Sequence, residues 1–162
     1  MHTKFLAIDF ETANTEANSA CAVGLVRVEN KKIVHKEVHL IRPPSRKFMF
    51  SYIHGIHWTD VENAPTWSEL WPVIEPQFKD IEFLAAHNSG FDRRVLNGVC
   101  EHYGIKAPNI PFSCSMQLAR REWNIRPTKL SDVCRHLDIE LNHHEALSDA
   151  MACARIFISA NG

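Results

Sequence analysis

The sequence predicts an α/β fold: a mixed five-stranded sheet with an antiparallel hairpin at one side and helices on both faces. Three observations carry this. Residues 3–9 read as a strand built on the continuous apolar run Phe5-Leu6-Ala7-Ile8. Residues 22–28 and 33–41 also read as strands, joined by the short polar turn Glu29-Asn30-Lys31-Lys32, which makes them a hairpin. Two later short strands, the buried run Phe83-Leu84-Ala85-Ala86 and Phe112 to Ser115, are each followed by a helical pattern, as expected for the parallel part of a sheet.

Taken in order, residues 3–9 are apolar on both faces, which suits a central strand. Thr12 to Ala20 is rich in Asn, Thr, Ser and Glu and reads as a loop. Arg42-Pro43-Pro44 ends the hairpin, because proline cannot continue a ladder. Residues 45–66 are irregular; Phe48 and Phe50 are expected to pack on the sheet, and Thr59 or Asp60 to cap a short turn. Thr66 with Glu69 three residues on is a capping-box signature. The helix it opens has Trp67, Leu70, Trp71, Ile74 and Phe78 on its apolar face, with Pro72 and Pro76 as interruptions. Val95, Leu96, Val99 and Tyr103 give a helix over 93–103, ended by Gly104. Helices over 116–123, 129–137 and 145–160 complete a single domain spanning 1–162.

The totals exclude several classes. Hydrophobic residues make up 45% and charged residues 23%, ordinary for a globular protein, and no run is long enough to span a membrane. No signal segment precedes the first strand, so the cytoplasm is the expected location and no membrane partner is expected. A net charge of −1 argues against coating DNA by bulk charge. The five cysteines are an odd number with no Cys-x-x-Cys, so they read as reduced thiols, mostly buried, rather than disulfides or a thiolate zinc site.

The chemistry concentrates at Asp9-Phe10-Glu11-Thr12. The period of a strand puts Asp9 and Glu11 on one face, where adjacent carboxylates repel and call for a divalent cation. Asp92 follows a buried strand at the first turn of a helix, where Asn88 or Ser89 is free to cap, leaving Asp92 for other work. Asp149 sits among Leu147, Ala150, Met151 and Ala152, where a solvated acid is not expected. His144 converges with Asp149 only if the histidine is in the loop and the aspartate in the helix, since five helical residues turn about 500°.

In order and spacing, Asp9-Phe10-Glu11-Thr12, His87-Asn88-Ser89-Gly90-Phe91-Asp92 and His144 through Asp149 resemble the motifs of the DEDDh 3′–5′ exonucleases. This DnaQ-like group includes the proofreading (epsilon) subunit of bacterial DNA polymerase III and ribonuclease T. Ile53-His54-Gly55-Ile56, Asp60-Val61 and Ala64-Pro65 add to the likeness, and spacing selects His144 over the adjacent His143. Ser89 departs from the alanine that relatives often carry.

The resemblance implies a ribonuclease H-like fold. It implies Asp9, Glu11, Asp92 and Asp149 around two divalent ions, Mg²⁺ or Mn²⁺, with Asp9 bridging both and His144 as general base. It implies release of 5′-mononucleotides from a single-stranded DNA or RNA 3′ end, DNA ahead of RNA, with Phe10, Thr12, Ala13, His54, Ile56 and Asn88 around the terminal nucleotide. A polymerase or a second copy of the chain are the partners it suggests. Two rival readings are a catalytically inactive nucleic-acid-binding or polymerase-associated module of the same fold, and a zinc protein using His136, His143, His144 and Glu145.

Overall fold

The computed structural model describes residues 3–160. Its strands are β1 (Lys4–Thr12), β2 (Ala20–Glu29), β3 (Lys32–Leu40), β4 (Phe83–Ala86) and β5 (Phe112–Cys114). The helices are α1 (Ser51–His54), α2 (Trp58–Val61), α3 (Trp67–Ile74), α4 (Ser89–His102), α5 (Ser115–Trp123), α6 (Leu130–Leu137) and α7 (Ala146–Ala160), with a 3₁₀ turn over Glu75–Phe78. The sheet order is β3-β2-β1-β4-β5, antiparallel from β3 to β1 and parallel from β1 to β5. The expected mixed sheet, with helices on both faces, is therefore the observed one.

Strand periodicity sorts the core into two layers. Leu6, Ile8 and Phe10 face α3 and α4, packing with Trp67, Trp71, Leu96 and Val99. Phe5 and Ala7 face α5, α6 and α7, packing with Leu118, Val133, Ile156 and Phe157. Asp9 and Glu11 continue the second set, so their side chains emerge on the α7 side of the sheet at the carboxyl end of β1. That is the end of a parallel α/β sheet where ligands bind.

Boundaries differ from the sequence reading where tertiary contacts extend an element. β1 runs to Thr12 because β2 stays paired with it, across a register shift between Glu11 and Thr12. α4 begins at Ser89 rather than 93. α3 passes through Pro72, because the buried face of Trp67, Leu70, Trp71 and Ile74 outweighs one lost ladder bond; the chain then tightens to 3₁₀ at Glu75. Thr66 accepts from the Glu69 N–H and Glu69 from the Thr66 N–H, as the capping box requires. The short turn at 58–61 is capped differently: Asp60 stands inside α2 and accepts from the His57 N–H at 2.8 Å. Phe48 and Phe50 are half-buried.

Gly24 decides how closely α7 approaches the sheet. A Cβ at this position would collide with the backbone of Ala146 and Leu147, at the start of α7. Gly24 is also the β2 partner of Asp9, and Ala22 the partner of Glu11. Small residues opposite the two acids let the helix carrying Asp149 close onto them.

Gly24→Ala should therefore cost about 2–3 kcal/mol by overpacking, a fall in Tm of about 4–12 °C at roughly 2–4 °C per kcal/mol. Gly90→Ala in α4, where a Cβ meets nothing within 4 Å, should leave Tm unchanged or slightly raised. Thermal melts followed by circular dichroism check both.

Candidate active site

Three elements deliver four carboxyls to one place. β1 brings Asp9 and Glu11, the first turn of α7 brings Asp149, and the first turn of α4 brings Asp92 from the opposite face of the sheet. Carboxylate oxygens of Asp9, Glu11 and Asp149 lie within 4.8 Å of one another. Asp92 is held slightly apart, because its Oδ1 accepts the Phe10 N–H at 3.0 Å. That bond ties α4 to β1 across the top of the sheet. Asn88, the residue before α4 and one of the two candidate caps, is left-handed at φ 63° and makes no side-chain cap bond.

The electrostatics are adverse. Burial, then the charges of Asp92, Asp149 and Glu11, push the Asp9 carboxyl well above the usual range. Burial and the charges of Asp149 and Asp92 lift Glu11 to about 8. Burial lifts Asp92 to about 8 against the bond from Phe10. Burial raises Asp149 too, partly opposed by His143. Asp9 Oδ2 is buried with no hydrogen-bond partner among the described residues, and Asp149 Oδ1 is buried with only the His143 ring at ion-pair distance. Buried carboxylate oxygens that are close, convergent and unpaired cost free energy unless a cation satisfies them. Oxygen-only donors of this kind suit a hard divalent ion, so the residues fit a metal.

The histidines stand in the loop before α7, as convergence requires. His144 has φ 70°, and its backbone N–H reaches Asp149 Oδ2 at 3.3 Å. Its ring stacks on that of His143, centroids 3.7 Å apart. His143 Nδ1 stands 3.5 Å from Asp149 Oδ1, an ion-pair distance. Burial and the neighbouring His143 and His54 lower the His144 pKa, favouring the neutral, proton-accepting form. His143, His144 and Asp149 form a second group able to hold an ion; His136 and Glu145 are not in it.

The residues expected around the substrate divide. Asn88 is exposed at the cleft mouth, and Ile56 is half-buried. Thr12 is buried, and its carbonyl accepts from His54 Nε2 at 2.8 Å; His54 Nδ1 accepts the Ile56 N–H at 3.0 Å. Both His54 nitrogens are thus committed within the protein, leaving only the ring face for a ligand. Two expectations need correcting. The Phe10 ring is in the core against Trp67, so only its backbone reaches the site. Ala13 is fully buried: its N–H bonds Ser19 and its carbonyl accepts from Met49 and Phe50, so it anchors the loop instead of touching substrate.

Sequence reasoning missed the network behind the site. His87 Nε2 donates to the Thr128 carbonyl at 2.9 Å, and Ser115 Oγ donates to His87 Nδ1 at 2.8 Å. This ties the end of β4 to α5 and to the turn before α6. Burial holds His87 below its usual pKa, so it is neutral. The signal was present: His87 opens the second motif, but a histidine there has no visible partner until Ser115 and Thr128 are brought to it.

The comparisons with known proteins agree with this geometry. The RNase_T family model, described as Exonuclease, matches residues 6–157. The chain is 33% identical over 164 residues to exodeoxyribonuclease 10 of Escherichia coli (strain K12), covering 93% of this chain and 66% of that protein. It is 28% identical over 161 residues to a PolC-type DNA polymerase III of Caldanaerobacter subterraneus subsp. tengcongensis, covering 96% of this chain but 11% of the polymerase. The chain therefore spans only about a tenth of the length of such relatives. Among solved structures, exonuclease X in complex with 5′ overhanging duplex DNA matches with a TM-score of 0.78 at 26% identity, over 96% of this chain and 90% of that one. The nuclease domain of 3′hExo, a DEDDh family member bound to rAMP, matches in fold with a TM-score of 0.79 at 18% identity, over 98% and 91% of the two chains.

The raised carboxyls give stability a definite pH dependence. The unfolded chain ionises these acids near pH 4, whereas the folded, metal-free chain keeps protons on Glu11 and Asp92 up to about 8. The folded state binds more protons over that window, so this stability is full below it and is lost as pH rises through 8. The Tm in chelator should fall between pH 6.5 and 8.5, and Mg²⁺ or Mn²⁺ should restore it most at the higher pH. Asp9→Asn should raise the metal-free Tm at pH 8 by several degrees and blunt the response to metal. A metal-free Asp9→Asn protein melting below the parent at pH 8 would contradict the assignment.

Proposed function

The chain belongs to the exonuclease family, and on that premise we propose that residues 1–162 act as a single, metal-dependent 3′–5′ exonuclease domain. It releases 5′-mononucleotides from single-stranded 3′ ends, DNA ahead of RNA. The observation that carries this reading is the gathering of Asp9, Glu11 and Asp149, with a buried Asp9 oxygen that has no partner among the described residues, at the carboxyl end of the central strand. The names of the relatives support the preference for DNA: one is an exodeoxyribonuclease, and exonuclease X is described with DNA. The PolC-type relatives make a polymerase a reasonable partner for the same domain.

Asp9, Glu11 and Asp149 would hold the metal, with Asp92 beside them braced by the Phe10 N–H. Two divalent ions such as Mg²⁺ or Mn²⁺, when bound, would supply an activated water and stabilise charge for in-line displacement at phosphorus. His144 accepts the proton of the attacking water; its lowered pKa keeps it neutral and ready at pH 7. The water oxygen forms the new bond to phosphorus, the bond from phosphorus to the 3′ oxygen breaks, and that oxygen leaves on the shortened strand and takes up a proton. Asn88, which lines the cleft with Asp9 and Asp149, would donate to the substrate strand, and the His54 ring, fixed at both nitrogens, would offer a rigid face for the terminal base.

Labelled single-stranded DNA and RNA, incubated side by side with Mg²⁺ or Mn²⁺, should lose mononucleotides from a free 3′ end, DNA faster. Asp9→Ala and Asp149→Ala should each lower the rate at least about a thousandfold. His144→Ala should cost about 10²–10⁴-fold, the usual worth of a general base, and His143→Ala under about tenfold. Full activity in either aspartate variant, or strand binding without shortening, would overturn the reading. A larger loss in His143→Ala than in His144→Ala would move the base to the neighbouring ring.

A further inference from the structure

A cleft of about 380 Å³ opens beside the acids, large enough for about one nucleotide unit. Asp9, Asp149 and His143 line it together with Arg120, near the end of α5, and Lys129, at the start of α6. Both cations are exposed, and neither has a carboxylate partner among the described residues. The nearby ion pairs use other residues: Arg121 takes Glu122, and Arg135 takes Asp132. Arg120 donates Nε to Thr128 Oγ1 at 3.0 Å, which fixes its guanidinium and leaves the outer nitrogens without a partner among the described residues. Neither cation forms an ion pair with any of the four acids among the described residues. The cleft is thus lined by charges of both signs: acids that call for a cation, and two cations with no acid to hold among the described residues.

Resting on the exonuclease reading above, we propose that Arg120 and Lys129 form a phosphate subsite for the strand that remains, gripping the phosphate 5′ to the scissile one. Two successive phosphates of a strand match the two signs of charge, one reaching the acids through metal and the next meeting the cations directly. The terminal nucleoside then lies on the other side of the acids, toward Thr12, His54 and Ile56. The subsite reads charge alone, so it acts on single strands of any sequence. It also makes the first phosphate of the leaving strand part of substrate recognition, which a single nucleotide ester cannot supply.

The test compares an oligothymidylate with the 4-nitrophenyl 5′-ester of thymidine monophosphate, which carries the reacting phosphate and no other. Lys129→Ala, Arg120→Ala and Arg120→Lys are assayed on both, with Mn²⁺ present. For the oligonucleotide, Lys129→Ala and Arg120→Ala should each raise KM about tenfold. Each should also flatten the plot of log(kcat/KM) against log[salt] by about 0.7, the value for one single-strand phosphate contact. Ester hydrolysis should stay within about twofold, and Arg120→Lys should recover most of the oligonucleotide activity. Lys129 makes no side-chain hydrogen bond or ion pair among the described residues, and its backbone bond to Asp132 survives truncation, so it separates the subsite from any loss of stability in Arg120→Ala. An equal fall on ester and oligonucleotide, or an unchanged salt slope in Lys129→Ala, would overturn the subsite. Ester hydrolysis absent from the parent protein would instead count against the exonuclease reading.

Discussion

Like-charge crowding at the end of one strand governs this molecule. Asp9, Glu11, Asp92 and Asp149 are each pushed upward in pKa, chiefly by burial; the other three charges add to this at Asp9, those of Asp149 and Asp92 at Glu11, and that of Asp149 at Asp92. A fold does not gather such groups for stability; each buried charge without a partner weakens it. The arrangement persists because two hydrophobic layers, one on each side of the sheet, fix the elements that carry the acids. The stability lost at the site is offset elsewhere, as is usual where function demands a locally unfavourable arrangement.

The surrounding residues follow from that constraint. Gly24 and Ala22 stand opposite Asp9 and Glu11 and clear the space for α7. The Phe10 N–H, not needed for the core, holds Asp92 from the other face of the sheet. His87 ties the end of β4 to α5 and to the turn before α6, and so steadies the segment that leads to Asp92. The left-handed turn at His144 brings its backbone N–H to Asp149 and sets its ring beside the acids. Each is a small local choice, and together they over-determine the position of four carboxyls.

Much of this was legible in the chain. Continuous apolarity marked β1 as central, the polar turn after Val28 marked the hairpin, and Thr66 with Glu69 marked the start of α3. The acid pair was legible because strand period fixes the relative face of Asp9 and Glu11. What was not legible depended on distant partners. Nothing local to Ala13 says that its carbonyl receives two N–H groups from 49 and 50, which buries it. Nothing local to His54 says that both nitrogens are already used. Phe10 lies between two site residues in sequence, yet the same alternation that exposes its neighbours sends its ring into the core against Trp67. Asn88 has the residue type of a cap, but its left-handed backbone turns the side chain away from that role.

The central claim is that the acids are held for a divalent cation and keep protons until it arrives. Calorimetric titration of the metal-free protein with Mn²⁺ near pH 7, repeated in two buffers of different ionisation enthalpy, measures this most directly. The account predicts saturable binding accompanied by release of about one or more protons, with both binding and release lost or sharply weakened in Asp9→Asn. Absence of saturable binding, or binding with no buffer-dependent heat, would contradict it.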